Sequence, residues 1–450
     1  MPEIKISKIS PGRILLVSLL FVIFTGAILL ALPMSRIVDM SFVDVFFTAV
    51  TSTCVTGLLT VPMSYFSFFG QCVILALIQI GGLGLMTLSI FMVSLVLNLS
   101  FTTKIFAGQI LDFEFWGKIK NFLKMIIGFT IIIEAIGAFL LYISFSKILP
   151  SDKAIFYAIF HSVSAFCNTG ISLFEPGMFC VKQHWLTLST MATLILFGGV
   201  GFIVWYEFGN NIIISIKNWW REEPKKMVTS LHTKVVLFMS SILVFSGTVL
   251  FYFLERTNSL KDFGLFDQII NAFFMSVATR TAGFDPICIG RLGLPIIFIF
   301  LILMFIGASP SSTGGGIKVT TFTIFLATII ATVRNKDSVE IFGRNIPSEQ
   351  IFKTSVIFSL SLTLVCFSTF LMLITDPQFS VIQIMFEVVS AFATVGFSTG
   401  ITPFLSISGK LILSVLMIIG RLGALTLVLA LRKTQEKQLY KYPDERVLLG

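Results

Sequence analysis

Apolar residues run through this chain in long blocks separated by short polar breaks. Read with a window of about 20 residues, the length at which a helix spans a bilayer core, the chain gives eight long apolar segments. They lie near 13–33, 70–97, 122–147, 184–209, 233–254, 292–333, 351–375 and 408–431. Between the members of each successive pair lies a shorter, semi-polar stretch, at 43–56, 153–168, 266–281 and 380–394. Stretches of about 10–14 residues are too short to cross a bilayer and suit re-entrant or core helices. The order long, short, long therefore occurs four times.

The individual residues repeat as well. Each short stretch ends in a turn containing one glycine: Thr53-Cys54-Val55-Thr56-Gly57, Phe166-Cys167-Asn168-Thr169-Gly170, Thr279-Arg280-Thr281-Ala282-Gly283 and Phe392-Ala393-Thr394-Val395-Gly396. The interval from each of these glycines to the next is the same at every step. Each following span carries a second cluster of small residues: Gly81-Gly82, Gly198-Gly199, Gly307-Ala308 and Gly420. The gap from the turn glycine is identical in three repeats and four residues longer in the second. Self-similarity at a fixed period decides the architecture before any single motif does. It divides the chain into repeats at 13–97, 98–209, 210–334 (its second span broken) and 335–431, between a cytoplasmic N-terminus at 1–12 and a cytoplasmic tail at 432–450. The predicted fold is an all-α polytopic membrane protein with eight transmembrane spans and four re-entrant pore helices.

Composition agrees with the bilayer as solvent: 56% of residues are hydrophobic, 49 are Phe, and only 12% are charged. A soluble domain carries about 25% charged residues. The net charge of +9 would point to nucleic acid, were it not for where the charges lie. Of the 32 Lys and Arg, 21 sit at the N-terminus, in the even-numbered connections and in the tail. Eight sit in the odd-numbered connections, and three (Arg280, Lys318, Arg421) fall inside the membrane. The positive-inside rule places both termini in the cytoplasm and gives no ground for a nucleic-acid partner. The first apolar segment, from Ile14 to Leu32, is too long for a signal h-region and lacks an A-x-A site, so it reads as a retained helix.

Two crossings return each repeat to the side on which it began, so all four share one orientation. Their symmetry axis runs along the membrane normal, unlike that of inverted-repeat transporters, and a central pathway remains on it. Non-helical backbone at membrane depth persists only where protein or water satisfies it. Four turns meeting on an axis can point their carbonyls inward and replace the hydration shell of a cation. Glycine suits such a turn because it adopts conformations that strain any residue with a Cβ. The short helix before each turn aims the negative end of its dipole at the pathway, which favours cations. The competing reading is that these glycines only allow close helix packing.

Thr394-Val395-Gly396-Phe397 is similar to the TVGYG filter of potassium channels, and the four-fold helix–pore loop–helix plan resembles the Trk/Ktr/HKT superfamily of potassium transporters, most closely the Ktr membrane subunits. The resemblance covers nearly the whole chain. It implies a selectivity filter at Val55, Thr56, Gly57, Asn168, Thr169, Gly170, Thr281, Ala282, Gly283, Thr394, Val395 and Gly396. Each turn has a single glycine, and Asn168 and Ala282 are unique to theirs, which points to looser discrimination between potassium and sodium than in channels.

The sixth apolar segment is interrupted by Gly307-Ala308-Ser309-Pro310-Ser311-Ser312-Thr313-Gly314-Gly315-Gly316-Ile317-Lys318. Pro and three consecutive Gly break a helix and free backbone groups that need partners. The resemblance implies an intramembrane gate here; a passive kink is the alternative. A phosphate loop is excluded, because Ile317 separates Gly316 from Lys318 and Val319 follows. Arg421 lies in the last span, about 20 Å from its outer end, where an arginine costs about 3 kcal/mol or more unless it faces water or a partner. The resemblance matches it to a basic barrier under the filter. A buried ion pair with Glu387 or Glu134 is the competing reading. Arg280, three residues before Gly283, is placed to brace the third turn from behind.

The six cysteines and three histidines are scattered and form no metal-ligand pattern. There is no Ser/His/Asp set, no paired carboxylates in a polar cleft and no dinucleotide fingerprint, so an enzyme reading has no residues to stand on. The expected function is potassium uptake, with no covalent cofactor and with potassium (or sodium) as the transported or coupling ion. The resemblance implies a homodimer on a cytoplasmic ring of nucleotide-binding regulatory subunits (KtrA-like), in the plasma membrane of a bacterium. A Trk-type or sodium-permeable HKT-like transporter is the rival within the class, and a membrane enzyme or scaffold the rival outside it.

Overall fold

The computed structural model describes residues 11–83, 119–175, 177–219, 229–424, 426 and 445. The end of the second apolar segment (84–97), the connection that follows it and, Glu445 apart, the tail at 432–450 lie outside the described residues, as do residues 1–10.

Fourteen α-helices are present among the described residues. The first repeat holds α1 (Pro11–Ala31), α2 (Phe42–Thr53) and α3 (Phe68–Gly82). The second holds α4 (Ile119–Phe145), α5 (Ser151–Phe166), α6 (Trp185–Val200) and α7 (Phe202–Asn218). The third holds α8 (Leu231–Glu255), α9 (Leu265–Ala278), α10 (Leu294–Phe305) and α11 (Val319–Val333). A two-stranded hairpin, Glu340–Ile341 with Arg344–Asn345, precedes α12 (Ser348–Thr375), α13 (Val381–Ala393) and α14 (Ile407–Leu422).

Helix starts follow from local chemistry. Ser41, Ser67, Ser230, Ser380 and Ser406 each accept the N–H three residues on, capping α2, α3, α8, α13 and α14. Such a cap satisfies an amide that has no partner within the helix. The long opening helices α1, α4, α8 and α12 have the length and apolarity to cross a membrane. They leave Phe21, Ile131, Phe245 and Phe370 exposed, which in a bilayer is a lipid-facing surface rather than a defect. The short helices α2, α5, α9 and α13 do the opposite. Their last turns are buried almost without exception, so they stand inside the ring of spans.

The second member of each repeat is where the chain departs from a straight rod. Segment 292–333 is split into α10 and α11 at the Gly-rich interruption, as the sequence predicts. Segment 184–209, expected to be one continuous span, is also broken: α6 and α7 meet at 94°. Gly201, between them, has φ +98°, and a Cβ there would strike the carbonyl oxygen of Pro310 at 2.6 Å. The longer gap in the second repeat has a simple source as well. Span α6 begins four residues further from its turn glycine than α3, α10 and α14 do from theirs; all four connections carry a short 3₁₀ turn, and that at Met178–Val181 has four residues where the others have three.

The repeats interlock in one direction. Helix α3 packs on α5, α6 on α9, α10 on α13, and α14 on α2, so each second span rests against the pore helix of the next repeat, and the fourth closes on the first.

Candidate functional site

The four glycine turns meet at the centre of this ring. A Cβ on Gly57 would overlap the carbonyl oxygen of Thr169. One on Gly170 would overlap that of Ala282, one on Gly283 that of Val395, and one on Gly396 that of Thr56. Each glycine thus lies against the carbonyl of the residue before the glycine of the next repeat, and the cycle closes after four steps. All four glycines have positive φ: +99°, +77°, +62° and +95° in chain order. So do the residues two before them, Val55 (58°), Asn168 (59°), Thr281 (76°) and Thr394 (50°). Left-handed backbone at non-glycine residues is uncommon and gathers at functional sites. Here it recurs at the same place four times.

The pore helices hold the turns in position. Thr56, Thr169 and Val395 donate their amides to the carbonyls of Thr51 (2.8 Å), Ser164 (2.8 Å) and Ser390 (2.9 Å). In the first and fourth repeats the same hydroxyl residue also accepts the glycine amide: Gly57 N to Thr51 Oγ1 at 2.9 Å and Gly396 N to Ser390 Oγ at 3.1 Å. Ser164 Oγ instead donates to the Ile171 carbonyl at 2.9 Å. The third repeat has Val277 at this position, and its turn is tied differently, by Ala282 N and Gly283 N to the Ala278 carbonyl at 3.0 and 3.3 Å. The sequence reading passes over these hydroxyl residues, six before the glycine in three of the four repeats; their recurrence at the interval of the turn glycines is the signal that finds them. Asn168 meets the Thr281 hydroxyl at 3.3 Å, side chain to side chain, linking the second and third turns.

The small residues of the second spans have one shared purpose. Gly81, Gly198 and Gly420 lie against the carbonyls of Thr53, Phe166 and Phe392, which end their own pore helices. A Cβ would push the span off the pore helix that leads into the glycine turn. Gly307 differs, lying against Gly315 of the Gly-rich loop.

That loop packs against the third and fourth turns. Gly314 lies against Thr281, and Gly315 against Thr394, whose Oγ1 accepts the Gly315 amide at 2.9 Å. The loop's base is a pinched pair, with Gly307 N donating to the Ile317 carbonyl at 2.9 Å and Val319 N to that of Ala308 at 3.3 Å. Its flank is tied to the α6–α7 break. Ser309 N donates to the Gly199 carbonyl at 3.2 Å, and its one hydroxyl hydrogen is shared between that carbonyl, at 2.8 Å, and that of Val200. Thr313 N donates to Gly198 O at 3.2 Å and its Oγ1 to Phe166 O at 3.3 Å. Phe202 N returns a bond to Ser311 O at 2.9 Å. Lys318 Nζ donates to the Gly314 carbonyl at 2.7 Å.

Arg421 reaches this level from the fourth repeat. Its guanidinium donates to the carbonyls of Thr313, in the loop, and of Gly81, in the first repeat. Neither carboxylate considered from sequence is paired with it among the described residues. Glu134 Oε2 accepts Gln79 at 3.2 Å, and Glu387 takes all its partners from the loop after the fourth turn. Arg280 is buried behind the third turn and donates to the Ser240 carbonyl of α8 at 3.2 Å. Its place in the third turn is taken by Cys54, Cys167 and Ala393 in the others. No cluster of metal-ligating side chains is present among the described residues.

Comparison with known proteins fits this geometry. The profile of TrkH, described as a cation transport protein, matches residues 15–441. The chain is 37% identical to the Ktr system potassium uptake protein B of Vibrio alginolyticus, over 100% of this chain and 97% of the relative. It is 34% identical to the potassium/sodium uptake protein NtpJ of Enterococcus hirae, over 98% of each chain. Among solved structures, the potassium transporter TrkH of Vibrio parahaemolyticus superposes with a TM-score of 0.68 at 17% identity, covering 93% of this chain and 85% of the other.

Proposed function

The chain belongs to the TrkH family of cation transport proteins, and on that premise we propose that it is the ion-translocating subunit of a Ktr-type potassium uptake system. One observation carries the reading: four glycine turns closed into a ring, each against a carbonyl of the next. Carbonyls so arranged replace a cation's hydration shell at a fixed radius. Pore helices ending at the ring add the negative ends of their dipoles. In this reading the filter is Val55 to Gly57, Asn168 to Gly170, Thr281 to Gly283 and Thr394 to Gly396.

The loop from Gly307 to Lys318 is the gate in the same reading. It packs on Thr281 and Thr394 of the third and fourth turns and is held by hydrogen bonds to the second and fourth repeats. Arg421 is the barrier beside it, bonded to the loop and to the first repeat at once. A positive charge there opposes cation passage while the loop is closed. Regulation falls to a partner: the relatives' Ktr naming supports a second subunit, which we take to be a nucleotide-binding ring beneath a homodimer of this chain. We place the protein in a bacterial plasma membrane, both termini in the cytoplasm, on the bias of Lys and Arg.

Sodium permeation is a second reading. It is favoured by the single glycine per turn and by the potassium/sodium uptake named for the Enterococcus hirae relative. The test expresses the chain, with and without a Ktr-type regulatory subunit, in cells lacking potassium uptake. Rubidium-86 and sodium-22 influx are then measured at sub-millimolar concentrations. Rubidium influx that sodium competes with only weakly supports potassium uptake; equal competition supports the second reading. No influx of either ion with the subunit supplied rejects both.

A further inference from the structure

Position 161 in pore helix α5 and position 387 in pore helix α13 are separated by twice the interval between successive turn glycines, so they are equivalent places in the second and fourth repeats. One is His and the other Glu, yet they do the same thing. Glu387 is fully buried, and its Oε1 accepts Ser398 Oγ at 2.7 Å, Thr399 N at 2.9 Å and Thr399 Oγ1 at 3.2 Å. Its Oε2 accepts Thr402 Oγ1 at 2.8 Å. His161, also fully buried, has Nδ1 at 2.7 Å from the Tyr157 carbonyl, so that nitrogen carries the proton. Nε2 is left to accept from Leu173 N at 3.3 Å and Ser172 Oγ at 3.0 Å. Ser172 and Leu173 stand to Ser398 and Thr399 at the same doubled interval. Two different acceptors therefore hold the same pair of groups, two and three residues beyond the turn glycine.

The other two repeats lack this hold. The matching positions are Thr48, whose hydroxyl donates back to the Asp44 carbonyl of its own helix at 2.8 Å, and Phe274, which has no polar atom in its side chain. Repeats follow one another around the ring, so the tethered turns face each other across the pathway. The Thr399 amide must donate to Glu387 and the three hydroxyls are in a position to, a set that an ionised, acceptor-only carboxylate can use in full. No Lys or Arg is paired with it among the described residues.

We propose, building on the potassium-uptake reading, that Glu387 and His161 are positioning residues that set the opening of the filter mouth across one diagonal and thereby its preference for potassium. Glu387 adds a negative charge behind the lip, drawing a cation in; His161 contributes geometry alone. The two remaining lips have no such acceptor at the matching position.

The test measures rubidium-86 influx and its inhibition by sodium in potassium-uptake-deficient cells carrying the full chain and its regulatory subunit, with membrane-inserted protein quantified for each variant. Glu387→Gln keeps size and one acceptor but loses the charge. It is expected to raise KM for rubidium about tenfold and to lower preference over sodium by a similar factor, with Vmax within twofold. His161→Leu is expected to lower the preference with KM less affected, and His161→Gln, which restores an acceptor, to recover most of it. Wild-type KM and preference in both Glu387→Gln and His161→Leu overturn the proposal. So does a loss of inserted protein in Glu387→Gln, which would make the residue a determinant of folding alone. A wild-type chain without rubidium influx instead overturns the uptake reading beneath it.

Discussion

A side chain at Gly283 meets two obstacles: φ of +62° and the Val395 oxygen of the neighbouring turn. The left-handed conformation alone costs about 1–2 kcal/mol for an L-residue, and moving the carbonyl disturbs the ring itself. Gly283→Ala is expected to lower rubidium influx by about tenfold or more and to narrow the gap between potassium and sodium. Gly343 makes a fitting control, since its φ is +70° but nothing lies within 4 Å of an added Cβ; Gly343→Ala should leave influx unchanged. Thr51 tests the support behind a turn rather than the turn. Thr51→Val strands the Gly57 amide, now held at 2.9 Å, at a cost of about 1–3 kcal/mol. Preference over sodium should fall several-fold while total influx is largely kept. For Arg421, truncation removes the bonds to Thr313 and Gly81 together with the charge. Arg421→Ala is expected to raise rubidium influx several-fold in the absence of the regulatory subunit, measured in the same cells.

Among the elements, the Gly-rich loop is defined by what it is tied to. Ser309 alone contributes bonds from its hydroxyl to two carbonyls at the α6–α7 break. Ser309→Ala takes the hydroxyl from the Val200 carbonyl while Gly199 keeps the Ser309 amide, at a cost of about 1 kcal/mol. That shifts a closed–open equilibrium by about fivefold, and influx without the regulatory subunit should rise accordingly. Deleting Gly314 to Gly316 removes the part of the loop packed on Thr281 and Thr394 and should leave an open leak, again read as rubidium influx. The loop was legible in the sequence because Pro and three glycines cannot continue a helix. The break it leans on was not. Gly201 closes a cluster with Gly198 and Gly199 in an apolar run without proline, which reads equally well as close packing, and the break is met from the next repeat by the carbonyls of Pro310 and Ser311. Local propensity holds no record of such a contact. The same limit explains Arg421: its depth could be read from the span, whereas its partners are backbone carbonyls, which every sequence offers everywhere.

For the molecule as a whole, the constant interval between turn glycines foretold a ring, but not what closes it. Each repeat supports the next through a second span resting on a pore helix. Between the fourth and the first, that contact includes an ion pair, Lys410 Nζ to Asp44 Oδ1 at 2.7 Å. Asp44 lies in the first turn of α2, where a negative charge complements the helix dipole, and its Oδ2 accepts Ser41 Oγ at 2.7 Å. The two side chains are only 13% and 14% exposed. A pair so covered stands between a surface bridge, worth at most about 1 kcal/mol, and a buried one, whose disruption costs about 3–5 kcal/mol. Lys410→Met is therefore expected to cost about 2 kcal/mol, seen as a lower unfolding temperature of the purified protein. Because the contact closes the ring at the first pore helix, it should also loosen Thr56 against Gly396 and weaken potassium preference. Exchanging the residues, Asp44→Lys with Lys410→Asp, restores the attraction while reversing the charge at the start of α2. Recovery of the unfolding temperature should then be partial, held back by the helix dipole. A double variant no more stable than either single change would mean that the fourth and first repeats are joined by packing alone.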